Sequence, residues 1–412
     1  YCSMTPTLTP RRERWLLFTL AGIQFTHILD FMIMMPLGPQ FTALFGISNA
    51  QFGLLVSAYT LSAGVSGLMA STYIDRFSRK QLLLTMYPLF GLATLACGLA
   101  PDYVWLMVAR VGAGLFGGVL SALAQTIVAD VVPFERRGRA MSVVMTSFSV
   151  STVAGVPLGL FLAAQLNWHA PFFGIALLVG LLSLGAWKTL PRLDAHLHHP
   201  ERTSVWRGIG QVLSEVNHLK AFGVSGLMMF AGFTVIPYIT IYLQSNAGML
   251  TDEVPWIYLC GGLATLLSAR YFGRLTDRVG KVQVFQRLAL LLVLPLMATT
   301  LSQGLPLWGL LLISTLLFTV MSGRMIPGMA MVSSAVEPRL RGTFMTLNSA
   351  VQSASMGLAA LVGGLIIGRD AQGQLSFYWL AGLLGVCASL LSAWLAGRLR
   401  LHGASVPPKS TA

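Results

Sequence analysis

The stretch STYIDRFSRK (71–80) follows a long apolar run, and a similar stretch, GRLTDRVGK (273–281), follows another apolar run in the second half of the chain. Their Asp-Arg pairs begin at Asp75 and Asp277, 202 residues apart in a chain of 412. The stretches ERRGRAM (135–141) and EPRLRGTFM (337–345) are related in the same way. Three residues of these stretches match at a common offset of 204, since Arg137, Gly138 and Met141 correspond to Arg341, Gly342 and Met345. Further along the chain, Gly159 corresponds to Gly363 at the same offset. An offset near half the chain length predicts two halves related by duplication.

The composition excludes an ordinary water-soluble protein. Hydrophobic residues make up 55% of the chain and charged residues only 10%, with a mean hydropathy of +0.72, whereas soluble domains carry about 25% charged residues. The net charge of +13 does not indicate a nucleic-acid partner, because the basic residues lie in short loops between apolar runs. The four cysteines show no metal-binding or disulfide spacing. The sequence therefore predicts neither a metal site nor a cofactor.

Twelve apolar runs are long enough to cross a bilayer as helices, which takes about 20 residues. We number them spans 1 to 12, at residues 15–37, 52–73, 82–101, 104–129, 140–164, 170–190, 219–243, 254–273, 283–302, 306–332, 343–367 and 376–398. The predicted fold is an all-α membrane protein with twelve transmembrane helices in two pseudo-symmetric six-helix bundles. The predicted boundaries are residues 1–188 for the first half, 189–218 for a central loop and 219–412 for the second half.

Lysine and arginine are distributed unequally between the two ends of the predicted bundle. Both termini and the even-numbered loops are rich in them, whereas the odd-numbered loops contain only Arg369. We call these the even-loop end and the odd-loop end. Because basic loops stay in the cytoplasm, both termini are expected there. We expect a lipid-embedded protein of a bacterial inner membrane.

The stretches 71–80 and 273–281 resemble the loop signature of the major facilitator superfamily, G-x-x-x-D-R-x-G-R-K. The resemblance to this family extends over essentially the whole chain. In the first half Ser71 and Ser78 stand where the signature has glycine, while the second copy keeps Gly273 and Gly280. The resemblance implies transport by alternating access, with a gating latch of ion pairs at the cytoplasmic helix ends. Its residues are Asp75, Arg76, Arg79, Asp130, Asp277 and Arg278. The alternative is that the basic residues only set the orientation in the membrane.

Spans 4 and 5 resemble motifs of the drug and metabolite:proton antiporters within that family. ARVGAGLFGG (109–118) has an arginine followed four residues later by glycine, at Arg110 and Gly114. STVAGVPLGLF (151–161) matches part of a Gly-Pro-x-x-Gly-Gly pattern, and its helix-packing residues are Gly155, Pro157 and Gly159. A plain packing face is one interpretation of span 5. The resemblance implies instead a bend and a flat face that seal the two halves, and it favours export.

Asp30, within HILDFMIMMP (27–36), is the only carboxylate deep inside any predicted span. His27 lies three residues earlier and shares its helix face. At 1.5 Å per residue, Asp30 lies roughly 22 Å from the cytoplasmic start of span 1, and Arg110 roughly 9 Å from the outer start of span 4. Both therefore lie at similar depth in a core about 30 Å thick. Ionisable groups at such depth indicate function, and we predict proton coupling by Asp30, His27 and Arg110. The alternative is a permanently paired structural acid.

Span 10 contains a second deep arginine, Arg324, followed by Pro327 and Gly328, where we expect the helix to break. Arg324 is predicted to meet an anionic substrate or a backbone carbonyl at that break, and a purely structural role is the alternative. Methionine suits adaptable apolar surfaces and also binds Cu(I). The predicted substrate cavity comprises Met34, Arg324, Met325, Phe233 and Tyr238.

The sequence therefore predicts a proton-coupled secondary transporter that exports a small apolar or amphipathic compound. The phosphate-binding pattern G-x-x-x-x-G-K-[ST] does not occur, and a single deep acid does not provide the paired groups of an enzyme, so neither ATP-driven transport nor catalysis is expected. Two alternatives use the same residues. One is a proton symporter that imports a small nutrient, and the other is a metal or metallophore transporter that uses methionine and histidine.

Overall fold

The computed structural model describes residues 10–132, 143–144, 147–190, 205–337 and 340–401, and these are almost entirely helical. Spans 1 to 6 contain the helices Pro10–Ile33 with Gly38–Leu44, Asn49–Tyr73, Arg79–Gly98, Tyr103–Val131, Val156–Gln165 and His169–Thr189. Spans 7 to 12 contain Val216–Phe233 with Ile239–Ser245, Val254–Val279, Lys281–Leu291 with Val293–Thr300, Leu307–Ser334, Arg341–Ile366 and Tyr378–Ala396. The strands Gly368–Arg369 and Leu375–Ser376 pair antiparallel between spans 11 and 12.

Within the described residues, eleven helices are long and apolar enough to cross a bilayer. The one predicted span that is not among these eleven is span 8. Its helix, Val254–Val279, packs along span 10. Its end is polar, because its last turns contain Arg274, Asp277 and Arg278. The predicted all-α architecture is confirmed.

Tryptophan side chains mark both ends of the bundle. Eight of the nine are exposed. At the even-loop end these are Trp15, Trp187, Trp206 and Trp394, and at the odd-loop end they are Trp105, Trp256, Trp308 and Trp379. Indole rings are enriched at membrane–water interfaces. Their positions bracket the apolar part of the helices, as expected of a bundle that crosses a bilayer.

Spans 1 and 7 are each interrupted by a short segment that contains a proline. Span 1 leaves α-helical geometry between Ile33 and Gly38, where Pro36 lies. Span 7 passes through a 3-10 turn, Ile236–Tyr238, that contains Pro237. Proline has no N–H and clashes with the preceding turn, which explains both interruptions. The two prolines lie 201 residues apart, so the same break recurs at the same place in each half.

Two glycines that match at the sequence offset of 204 pack against these breaks. A Cβ on Gly159 would lie 2.7 Å from Cδ1 of Ile33, at the end of the first helix of span 1. A Cβ on Gly363 would lie 2.7 Å from the carbonyl oxygen of Thr234, within the interrupted part of span 7. Glycine permits such close helix approach. The packing of span 5 against span 1 therefore corresponds to the packing of span 11 against span 7. The matched residues at 137, 138 and 141 lie outside the described residues.

The predicted break in span 10 is wrong, since Leu307–Ser334 is one continuous α-helix through Pro327. Arg324, one turn earlier, donates hydrogen bonds to spans 7 and 12. A Cβ on Gly323 would lie 2.6 Å from the ring of Phe272 in span 8. Neighbouring helices thus hold span 10 in place where the missing N–H of proline weakens it, which is why membrane helices tolerate proline.

Span 5 departs from α-helical geometry directly before Pro157. Ser151–Gly155 form one π-helical turn there, so the expected distortion takes the form of a widened turn that compensates for the missing N–H of proline. Oγ of Ser151 donates to the carbonyl of Phe25 in span 1 at 3.1 Å. A Cβ on Gly262 in span 8 would lie 2.9 Å from Cα of Val153. The π-helical turn therefore lies where the two halves meet.

The two halves are in close contact at the odd-loop end. Nδ2 of Asn49, at the start of span 2, donates to the carbonyl of Ile367, at the end of span 11, at 3.2 Å. Gly53, one turn further along span 2, faces Tyr238, and a Cβ there would lie 2.6 Å from the carbonyl oxygen of Ala360. Across the described ranges, spans 4 and 10 make no comparably extensive contact. The structure is thus closed at the odd-loop end.

The central loop predicted at residues 189–218 is partly helical. Its described part contains the α-helix Val205–Leu213, in which Val212 is buried. Gly208 of this helix lies beside Thr343 of span 11, whose Oγ1 would be 3.4 Å from an added Cβ. Span 7 then begins at Val216, three residues before the predicted start. This helix therefore packs against the second half.

Gly280 alone connects the helices of spans 8 and 9, with a φ of 111° that other residues rarely adopt. We expect Gly280→Ala to lower the free energy of unfolding by about 1–3 kcal/mol because of backbone strain, measured as a lower melting temperature of the purified protein. Gly342→Ala is the control, because Gly342 lies in a helix with no atom within 4 Å of an added Cβ. An equal loss in both variants would contradict the strain argument.

Candidate functional site

Asp30 and Arg110 form an ion pair between spans 1 and 4. Nη1 of Arg110 lies 2.9 Å from Oδ2 of Asp30 and donates a longer bond, 3.3 Å, to the Asp30 backbone carbonyl. Both side chains are fully buried, at 0% exposure. Asp30 is therefore paired with Arg110 and not with His27, whose ring nitrogens have no hydrogen-bond partner. Breaking such a pair would leave an uncompensated buried charge, which is strongly destabilising.

The ion pair leaves several buried polar atoms without a partner. Among the described residues, these include Oδ1 of Asp30, Nε and Nη2 of Arg110, and both ring nitrogens of His27. Thr94 of span 3 lies beside Asp30, but its hydroxyl makes no well-formed hydrogen bond. Buried polar groups in proteins are normally hydrogen-bonded. The free donors and acceptors gathered here could bind a proton or a polar group of a ligand.

A stack of aromatic rings leads from Arg110 toward the second half. The Arg110 guanidinium carbon lies 4.4 Å from the centre of the Tyr59 ring, a cation–π distance. Tyr59 stacks on Phe31 with ring centroids 5.4 Å apart, and Phe31 stacks on Phe233 of span 7 at 6.0 Å. Phe31 and Phe233 are both partly exposed. The stack therefore joins the ion pair to the opposite half of the protein.

The glycines of span 4 make room for these side chains. A Cβ on Gly114 would lie 3.0 Å from Cα of Tyr59, and one on Gly117 would lie 2.5 Å from Cδ2 of His27. The His27 ring lies 5.9 Å from Tyr59 and 6.0 Å from Phe90, between centroids. His27 is therefore held by aromatic and glycine contacts beside the ion pair. The span 4 motif brings spans 1 and 2 close to Arg110.

The other predicted cavity residues take no part in the ion pair or the ring contacts of this cluster. Arg324 donates to the carbonyl of Met228 in span 7 at 2.7 Å and to Oγ of Ser389 in span 12 at 2.9 Å. Of its two predicted partners, Arg324 thus meets a backbone carbonyl. Tyr238 is buried and donates to the carbonyl of Ala360. Met34 lies buried in the interruption of span 1, and Met325 is partly buried at the even-loop end of the second half. Contact of these four residues with a substrate stays a prediction.

The predicted gating latch is only partly described. The side chains of Asp75 and Asp130 lie outside the described residues. Nη1 of Arg79 donates to the carbonyl of Ile74 at the end of span 2. The three remaining latch residues are exposed: Arg76, Asp277 and Arg278. The latch stays a prediction.

Sequence reasoning missed four residues of the cluster: Phe31, Tyr59, Thr94 and Cys97. Cys97 of span 3 is fully buried and lies beside Arg110. Phe31 directly follows Asp30, so its position in the sequence was an available signal. Nothing in spans 2 and 3 distinguished the other three from ordinary packing residues, because their relevance depends on how those helices are rotated toward Arg110.

Two six-helix halves, closed at one end, with a buried ion pair and equivalent helix interruptions, define a membrane transporter of the parallel-repeat class. The chain belongs to the Major Facilitator Superfamily, whose family model matches residues 20–251 and 221–411. It is a transport protein of the membrane and not an enzyme.

Relatives and solved structures agree with this assignment. The chain is 26% identical over 346 residues to the uncharacterized MFS-type transporter YtbD of Bacillus subtilis, covering 83% of this chain and 85% of that protein. It is 23% identical to YbcL of the same organism, covering 92% and 95%. A bacterial homolog of the human lysosomal transporter Spinster, in an inward-facing and occupied conformation, has a TM-score of 0.75 at 16% identity, covering 95% and 98%. The D-xylose-proton symporter also has 0.75, at 17% identity, covering 93% and 97%. At these identities the structures support the fold alone.

Proposed function

We propose that the protein is a proton-coupled secondary transporter that exports a small apolar or amphipathic compound, with Asp30 as the proton carrier. The observation that carries the proposal is the buried Asp30–Arg110 pair, in which Oδ2 is bonded to Arg110 while Oδ1 has no partner. Oδ1 is therefore the atom that accepts the proton. Protonation neutralises Asp30 and weakens its hold on Arg110, which loosens span 1 from span 4.

The change at Asp30 can reach the contact between the halves through span 5. Leu29, next to Asp30, packs against Gly155, whose added Cβ would lie 3.0 Å from Cδ1 of Leu29. Oγ1 of Thr152, in the same π-helical turn, lies 3.7 Å from Sδ of Met32. On its other side this turn meets Gly262 of span 8. A shift of span 1 is therefore transmitted to the seam between spans 5 and 8, the seal that the span 5 motif implies.

The test is flux in proteoliposomes across a panel of candidate compounds, with an imposed pH gradient. We expect the wild type to drive a compound against its gradient while protons move the opposite way, and Asp30→Asn to lose this coupling because asparagine cannot exchange the proton. Asp252→Asn, at an exposed position, is the matched control and should behave as wild type. Coupled transport by Asp30→Asn would refute the proton role.

The flux assay separates export from import, and a binding measurement tests the metal alternative. A symporter that imports a nutrient moves substrate and protons in the same direction. A metal or metallophore transporter loses ligand binding when Met325 and Met329 are replaced together. We further propose that the protein resides in a bacterial inner membrane with both termini cytoplasmic, an orientation that the basic even-loop end supports. The resemblance to its family supports a monomer.

A further inference from the structure

The aromatic contact between Phe31 and Phe233 indicates a class of ligand. The two rings belong to different halves, lie 6.0 Å apart between centroids and are inclined by only 21°. On the far side of Phe31, the Tyr59 ring is inclined by 22°. Each ring face is thus close to parallel with that of its neighbour, and both phenylalanines are partly exposed.

This geometry changes when the halves move. Span 1 carries Phe31 and span 7 carries Phe233, so any movement that separates the halves at the odd-loop end draws the two rings apart. A flat ring inserted between them needs about 3.5–4.0 Å to each neighbour, which requires only a modest separation. A ligand in that gap would replace the ring contact that is lost.

We propose that Phe31 and Phe233 form a stacking slot for planar aromatic compounds, in which the ligand's ring takes the place of the direct contact between the two phenylalanines. This inference rests on the proposed function, because it assigns the substrate class of the same site. Nearly parallel aromatic faces favour a flat π-system over a saturated ring of equal apolar area, since stacking adds to the burial of area.

The slot lies next to the proton site. Phe31 follows Asp30 directly in span 1, and the Tyr59 ring that backs Phe31 is in contact with the Arg110 guanidinium. A ligand that displaces Phe31 therefore acts on the neighbours of the ion pair. This arrangement links occupancy of the slot to the position of Asp30 without direct contact between ligand and carboxylate.

The test compares two uncharged compounds with the same carbon skeleton, 2-naphthol and decahydro-2-naphthol. Binding is measured by equilibrium dialysis with the purified full chain in nanodiscs, after subtraction of uptake by empty nanodiscs. We expect the planar compound to bind about tenfold more tightly, the effect of roughly one good stacking contact on each face. Equal affinities, or no specific binding of 2-naphthol, would overturn the proposal.

Substitutions test whether the preference for the planar compound depends on the Phe233 ring. Phe233→Leu keeps apolar bulk but has no ring face, so only the Phe31 face remains and the ratio of affinities should fall to about threefold, whereas Phe233→Tyr should retain the full preference. Phe230→Leu, one turn earlier and in none of the ring contacts found among the described residues, is the matched control. An undiminished tenfold preference in Phe233→Leu refutes the slot. Asp30→Asn should keep the preference, so a failure of proton coupling is distinguishable from a failure of the slot.

Discussion

Replacing Arg110 with methionine is expected to lower the free energy of unfolding by about 3–5 kcal/mol. Methionine keeps much of the apolar length of the arginine, so the loss reports mainly on the carboxylate of Asp30, left buried without its partner. The measurement is an unfolding curve of the purified protein in detergent. Arg287→Met, at an exposed position, is the control and should change stability little.

The double variant Asp30→Asn/Arg110→Met removes both charges and is expected to recover most of that loss. Residues in direct contact show such non-additive effects, and the double-mutant cycle isolates them. If the double variant is as unstable as Arg110→Met alone, the ion pair is not the source of the destabilisation. Its recovery would show that the cost lies in the unpaired charge and not in altered packing around span 4.

The same double variant separates a structural acid from a proton carrier. If Asp30 only neutralises Arg110, removal of both charges restores stability and proton-driven transport together. If Oδ1 of Asp30 carries the proton, the double variant is stable but does not couple transport to a pH gradient. We expect stability without coupling.

The pairing of Asp30 with Arg110 was within reach of sequence reasoning because a helix rises by a constant amount per residue. Counting from opposite ends of spans 1 and 4 places both groups at similar depth, and the structure joins them at 2.9 Å. Counting gives depth but not rotation about the helix axis. Tyr59 and Thr94 were therefore missed, although they lie at the same level as the pair.

The prolines show that a local sequence rule does not decide whether a helix is interrupted. Pro36, Pro237 and Pro327 each remove one hydrogen bond from a helix, yet only the first two interrupt their spans. Span 10 is held across Pro327 by the hydrogen bonds of Arg324 to neighbouring spans. The sequence did distinguish the first two prolines, because Pro36 and Pro237 recur at about the spacing of the duplication. Helix interruptions paired in this way indicate where the binding site of a transporter lies.

Gly53→Ala is expected to shift the protein toward a state that is open at the odd-loop end. The added methyl group would collide with the Tyr238 hydroxyl and lie 2.6 Å from the carbonyl oxygen of Ala360, both in the opposite half. Overpacking of this kind costs about 1–3 kcal/mol, which corresponds to a roughly 5- to 150-fold change in the equilibrium between two states. Because the cost arises only while the odd-loop end is closed, the closed state alone is destabilised.

Spin labels at Leu44 and Leu250, both exposed near the odd-loop end in opposite halves, report this change as a longer distance between the labels. Gly67→Ala is the matched control in the same helix, because its Cβ would meet only Gly118 of the same half, at 3.4 Å. Unchanged distances in Gly53→Ala, or an equal change in Gly67→Ala, would show that this contact does not hold the halves together. A shift confined to Gly53→Ala would instead identify the junction of spans 2, 7 and 11 as the contact whose release lets Phe31 and Phe233 separate.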